Sequence, residues 1–161
     1  MRRLHKTIAD VGWTKNVPTF AKTDTVSRAF DAMSHEAHDC VLILDGEALA
    51  GIFTSRDFLD RIAEERRDPN KVTLGEVMTS LPKVLRPRDG LAFAINWMAI
   101  EGFRNVPIVD DDGKVLGVLT IWEVLHALED VFLEIDATPR PTPPASDISE
   151  VISMVDLGGG G

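Results

Sequence analysis

Cysteine is nearly absent: Cys40 is the only one in 161 residues. That excludes an internal disulfide and any thiolate-based metal cluster, and it fits a reducing compartment. Basic charge is also scarce. Lys and Arg total 17 against 26 Asp and Glu, a formal charge of -9, which repels phosphate backbones and anionic bilayer surfaces. Neither nucleic acid nor a membrane is an expected partner. No segment nears eighteen uninterrupted apolar residues, so no transmembrane helix is expected. The opening MRRLHKTIAD lacks the apolar stretch of a signal peptide, and a soluble cytoplasmic protein is the expectation. Catalytic signatures are missing too: there is no GxSxG elbow, no cysteine-histidine pair and no dinucleotide-binding glycine fingerprint. His35 and His38 stand three apart without HExxH spacing or a third ligand. The chain is therefore read as a non-enzyme that requires no cofactor and no metal.

What is present is enough apolar sequence, 44% of the residues beside 27% charged, to close a packed core. It is written twice. HDCVLILDGEALAGIFTSRD, from His38 to Asp57, aligns with FRNVPIVDDDGKVLGVLTIWE, from Phe103 to Glu123, once one residue is inserted in the turn. Val41 matches Val106, Ile43 matches Ile108, Gly51 matches Gly117 and Thr54 matches Thr120. The lead-ins correspond as well, TIADVGWT from Thr7 against TLGEVMTS from Thr73. A unit repeated only twice reads as duplication of a half-domain that cannot bury its apolar face alone. The expected fold is α/β (α+β), each unit β-α-β-β-α, the two packed through their small sheets about a pseudo-twofold axis. The expected partition is 1–70, 71–136 and a tail at 137–161.

Within the first unit, Val26, Ala29, Phe30 and Met33 fall at helical spacing over Thr25 to Ala37, with Asp24 or Thr25 as the cap. Val41 to Leu44 and Leu49 to Phe53 read as a buried hairpin turned at Asp45-Gly46-Glu47. A second helix is expected from Thr54 or Ser55 toward Arg66, with Phe58, Leu59 and Ile62 inward. In the second unit, the helix from Gly90 to Glu101 carries a surplus stripe of Phe93, Trp97 and Ile100, and the helix from Thr120 to about Leu133 carries Trp122. Such a stripe is either covered within the chain or a self-association surface, so a homodimer is one expectation. Asp110-Asp111-Asp112-Gly113 reads as an acidic hairpin turn. Lys83, Arg86 and Arg88 concentrate positive charge at the opening of the second unit. In the tail, a proline-dense spacer precedes a possible short helix at 146–157.

GIFTSRD at Gly51 to Asp57 and GVLTIWE at Gly117 to Glu123, with RNVPIVDDDGKVLG before the second, resemble the cystathionine-β-synthase (CBS) domain family as a tandem pair, or Bateman module. The resemblance implies two clefts between the halves, holding an adenosine-containing ligand such as AMP, ADP, ATP or S-adenosylmethionine. It also implies a regulatory module that signals to an unknown effector protein by conformational change. Asp57 would accept both ribose hydroxyls from the start of a helix, and Thr54 would offer a hydroxyl beside free amides. Arg56 and Arg104 would supply charge for phosphates. Val17, Pro18 and Thr19, with the backbone of His38 to Cys40 around Asp39, would wall the adenine. Thr120 and Glu123 mark the second site, where the longer Glu123 departs from the family's aspartate and favours the first. Both pairs also read as capping boxes that merely start helices, and the two arginines as solvated surface charges. The competing function is a structural adaptor with empty clefts, acting through the Trp97 face and the tail.

Overall fold

The structure, a computed structural model, describes residues 6–135; the expected spacer and helix at 146–157 lie outside the described residues. A compact unit ends at Leu128, and the remaining described residues are the last turns of a helix. In chain order the elements are α1 (Ile8–Val11), β1 (Thr19–Ala21), α2 (Val26–Glu36), β2 (Cys40–Asp45), β3 (Ala48–Thr54), α3 (Ser55–Phe58) and a π turn (Leu59–Ala63). The second repeat follows with α4 (Leu74–Val77), β4 (Thr79–Ser80), α5 (Leu91–Glu101), β5 (Asn105–Val109), β6 (Val115–Thr120) and α6 (Ile121–Ile135).

The hairpins form where alternation and turn chemistry place them. Asp45 pairs with Ala48 across Gly46-Glu47, and Gly46 takes the positive φ of 64° that such a turn needs. The acidic turn is built as the sequence indicates: the Asp110 side chain accepts from the amides of Asp112 and Lys114, at 3.0 and 2.8 Å. Val41, Ile43 and Phe53 face the first core with Val26, Ala29 and Met33, while Cys40, Leu42 and Ile52 pack on Val118 of the other sheet. Val106, Ile108 and Leu119 face the second core. The two small sheets thus share an apolar layer, as the expected architecture requires.

The short lead-ins cross over. β1 runs parallel to β2 of its own repeat, but Thr14 just before it bridges Val118 in β6. Reciprocally, Leu85 bridges Ile108 in β5, while β4 pairs antiparallel with Gly51 and Ile52 of β3. The four-residue helices go the same way. Ile8 of α1 is fully buried in the second core, and Leu74 and Val77 of α4 are buried in the first. Each core is therefore completed by a segment that belongs, in sequence, to the other repeat.

Three local expectations need correction. Thr25 occupies the N-cap of α2 but its side chain makes no cap bond, and Asp24 spends its oxygens on the Ala21 amide and Arg28. The exposed amides of Val26 and Ser27 instead find the carbonyls of Val72 and Pro69. The helix after Thr54 does not run regularly to Arg66; it widens into the π turn, with the Glu64 amide donating to the Leu59 carbonyl, and Arg66 takes φ 54°. Leu59, expected inward, is 62% exposed as a result, while Ile62 is buried.

Candidate functional site

The site begins with Gly51. Because that residue has no side chain, β4 can lie against β3; a Cβ there would sit 2.5 Å from the Met78 sulfur and 2.9 Å from the Thr79 carbonyl. β3 ends at Thr54, whose extended backbone turns the chain into α3. The Thr54 amide and hydroxyl both donate to Asp57 Oδ2, at 2.9 and 3.0 Å, and the Asp57 amide donates back to Thr54 Oγ1 at 3.2 Å. This capping box fixes the carboxylate, 14% exposed, beside a cleft of about 850 Å³. That volume suits a nucleotide-sized ligand.

Asp39, Thr54, Arg56, Asp57 and Arg104 all line this cleft, so five of the residues singled out from sequence are brought together. The Asp39 and Arg104 carbonyls also accept from the amides of Ser55 and Ile121, at 2.9 and 2.8 Å, holding the starts of α3 and α6 in matching positions. Arg56 pairs with Asp60 at 3.6 Å and Lys83 with Glu101, whereas the exposed Arg104 has no carboxylate partner among the described residues. Arg86 and Arg88 spend their charge on Asp111. The cleft's apolar wall comes from Ile52, Leu59, Leu81, Pro82 and Phe103. Leu81 is 84% exposed and held at φ 47°, a strained conformation of the kind that persists at ligand sites.

Val17, Pro18 and Thr19 are not part of it. Val17 and Thr19 line a separate cavity of about 250 Å³ with Lys15, Leu42 and Val115, and the Pro18 carbonyl accepts from Leu42 in the ladder. The crossover is the reason: the lead-in that reaches Asp57 is the second, bringing Thr79 to Lys83, whereas the first sends Thr14 to β6 and then lies along β2 on the side away from β3. Thr120 and Glu123 are likewise elsewhere. Glu123 caps Thr120, and its Oε1 accepts the Thr14 hydroxyl at 2.7 Å. The longer side chain thus spends both oxygens on caps and lead-in. Sequence reading also missed Arg61, which reaches Asp57 Oδ1 at 3.1 Å; its spacing of four residues from Asp57 was the available signal.

The CBS domain family matches residues 12–64 and 74–130, and the chain belongs to that family. Among curated relatives, the mitochondrial CBS domain-containing protein CBSX3 of Arabidopsis thaliana is 32% identical over 110 residues, 65% of this chain and 53% of that protein. The chain spans 14% of the length of one such relative and 58% of another. Among solved structures, CBSX2 in complex with AMP has a TM-score of 0.65 at 23% identity, covering 78% of this chain and 97% of that one. The CBS domain protein PAE2072 from Pyrobaculum aerophilum, complexed with AMP, has a TM-score of 0.69 at 17% identity, covering 78% and 98%. These likenesses establish the tandem CBS fold. No helix among the described residues is long and apolar enough to cross a membrane.

Proposed function

We propose that this chain is a non-catalytic regulatory module that binds an adenosine-containing ligand in the cleft beside Asp57 and passes occupancy to an effector protein through the packing of its repeats. The observation that carries this reading is the fixed carboxylate of Asp57 at a nucleotide-sized opening walled by both repeats. A carboxylate so placed accepts vicinal hydroxyls; Arg104, unpaired, and Arg56 face an anionic tail; Leu81 and Phe103 offer the flat apolar wall that a purine needs. AMP is the ligand in two structures of like fold. Signalling follows if the two arrangements of the repeats differ in affinity, and the crossed lead-ins make the cleft and the repeat packing parts of one framework.

A thermal-shift panel with AMP, ADP, ATP, S-adenosylmethionine and NAD tests this. Ligand at a hundred times its Kd adds about 2.7 kcal/mol of stability. Asp57→Ala should cost about 1.5–3 kcal/mol of that binding, the range for hydrogen bonds to a charged group. No shift with any of the five would leave the adaptor reading in its place.

A second reading concerns self-association, supported by contrast between the repeats. Arg28 and His35 on α2 correspond to Phe93 and Ile100 on α5, and Arg56 corresponds to Trp122. Phe93, Ile100 and Trp122 are 60%, 75% and 61% exposed, while Trp97 is partly covered by the second core and by Lys83, 5.1 Å from its ring centre. The first repeat carries polar or charged side chains at those positions, so the apolar face is not required by folding. We take it as a homodimer surface. Ile100→Lys with Trp122→Lys should halve the mass measured by sedimentation, and an unchanged mass would remove that face from any interface.

A further inference from the structure

Arg61 belongs to neither repeat's core. Its guanidinium joins three elements at the cleft: Nη2 lies 3.1 Å from Asp57 Oδ1 and donates to Thr79 Oγ1 at 3.1 Å, and Nη1 donates to the Val77 carbonyl. It sits in the middle of the π turn, a winding that recurs at functional sites. Its counterpart in the second repeat is Ala127, buried in an uninterrupted helix. The π turn thus turns toward the cleft a position that the second repeat spends on its core.

An ionised carboxylate offers about four lone-pair positions. On Asp57, Oδ2 already accepts the Thr54 amide and hydroxyl, and Oδ1 is ion-paired with Arg61. A vicinal diol would bring two O–H donors to that remaining edge, where the guanidinium stands 3.1 Å away. Either the Thr54 cap opens, which would undo the start of α3, or Arg61 leaves. At 38% exposure Arg61 is the freer of the two.

We propose that Arg61 is a built-in competitor: it occupies the edge of Asp57 that a ligand's second vicinal hydroxyl needs, and its displacement by a diol releases the second lead-in at Val77 and Thr79. The proposal rests on Asp57 being the hydroxyl acceptor. It makes Arg61 a specificity-determining residue that acts against the ligand, and it gives occupancy a physical route to the strand that ties the repeats together.

Isothermal titration of the full chain and of Arg61→Ala with adenosine, 2′-deoxyadenosine and AMP tests the competition. Adenosine should bind the variant about fivefold more tightly, the ceiling for a partly exposed ion pair, and 2′-deoxyadenosine should bind both proteins alike. Unchanged adenosine affinity, or weaker AMP binding with adenosine unaffected, would overturn it; the latter would make Arg61 a phosphate ligand. Amide exchange in the ligand-free proteins tests the clamp separately: Met78 and Leu81, whose amides donate to Leu74 and Ala50, should exchange faster in Arg61→Ala. Equal exchange would end the proposal whether or not anything binds. Failure of all three probes to bind either protein would fell the nucleotide reading instead, and the exchange result would then decide the clamp alone.

Discussion

Gly51 and Gly117 occupy matching places in the two motifs, and each is there to let the other repeat's lead-in pass. A Cβ on Gly117, already at φ 150°, would lie 2.1 Å from the Thr14 carbonyl and 2.7 Å from the Trp13 ring. At Gly51 the nearest atom is the movable Met78 sulfur. Gly51→Ala should therefore cost about 1–3 kcal/mol, the usual range for overpacking, and Gly117→Ala more, as read from urea midpoints; the reverse order would mean that backbone contact is not what limits these sites. The glycines were legible as a pair, but what passes over them was not, because a missing side chain does not say who approaches. Asp57 was legible in both its senses, cap and cleft carboxylate, and the structure shows them to be one arrangement of the same atoms. Cys40, read as a small core residue, is buried, and burial together with the Asp39 charge pushes its thiol from 9.0 up to about 12. A pKa higher in the folded than in the unfolded chain gives stability that is whole below about 9 and lost as pH rises toward about 12. Thiol-labelling reagent at mildly alkaline pH should modify Cys40 only at the rate of unfolding, and rapid labelling of the native protein would contradict this burial.

At the scale of elements, α1 and α4 are four-residue helices, too short to persist on propensity. Each is started by a capping box: the Thr7 amide donates to Asp10 at 2.8 Å, and the Thr73 amide to Glu76 at 2.7 Å. Backbone and then side-chain hydrogen bonds from those threonines hold the Asp10 and Glu76 carboxyls below their ordinary 3.8 and 4.5. A depressed folded pKa means stability that is present above the ordinary values and lost as pH falls through the lowered ones. Urea midpoints should drop on acidification through this window, and Asp10→Asn with Glu76→Gln should flatten that drop; an unaltered acid limb would assign it to other carboxylates. The Thr-x-x-acid spacing of both boxes lay open in the lead-ins. The π turn did not, since Phe58, Leu59 and Ile62 satisfy an ordinary helical period and nothing in composition marks a wider winding. Leu59 consequently ends on the cleft wall, and Arg61 beside Asp57.

For the whole molecule, duplication could be read from the recurrence of one motif, hairpins and faces from local periodicity, and the fold class from the two together. The exchange of lead-ins could not, since both routes bury the same residues against equivalent sheets and only the tertiary pairing distinguishes them. That ambiguity moved Val17 to Thr19 onto the wrong side of the site. Its energetic consequence is specific: Ile8→Ala, a change in the first repeat's lead-in, should destabilise the second core by about 2–5 kcal/mol. Because each core contains a wedge from the other repeat, tryptophan fluorescence and far-ultraviolet circular dichroism should report one coincident transition. Two separated transitions would show that the cores are independent.

The loop at Asp68 to Asn70 is all that joins the repeats along the backbone, yet the crossed segments leave each half short of a piece that only its twin carries. Severed there, the two polypeptides would be mutual complements, unable to fold alone and restored by mixing, the property that a split reporter requires.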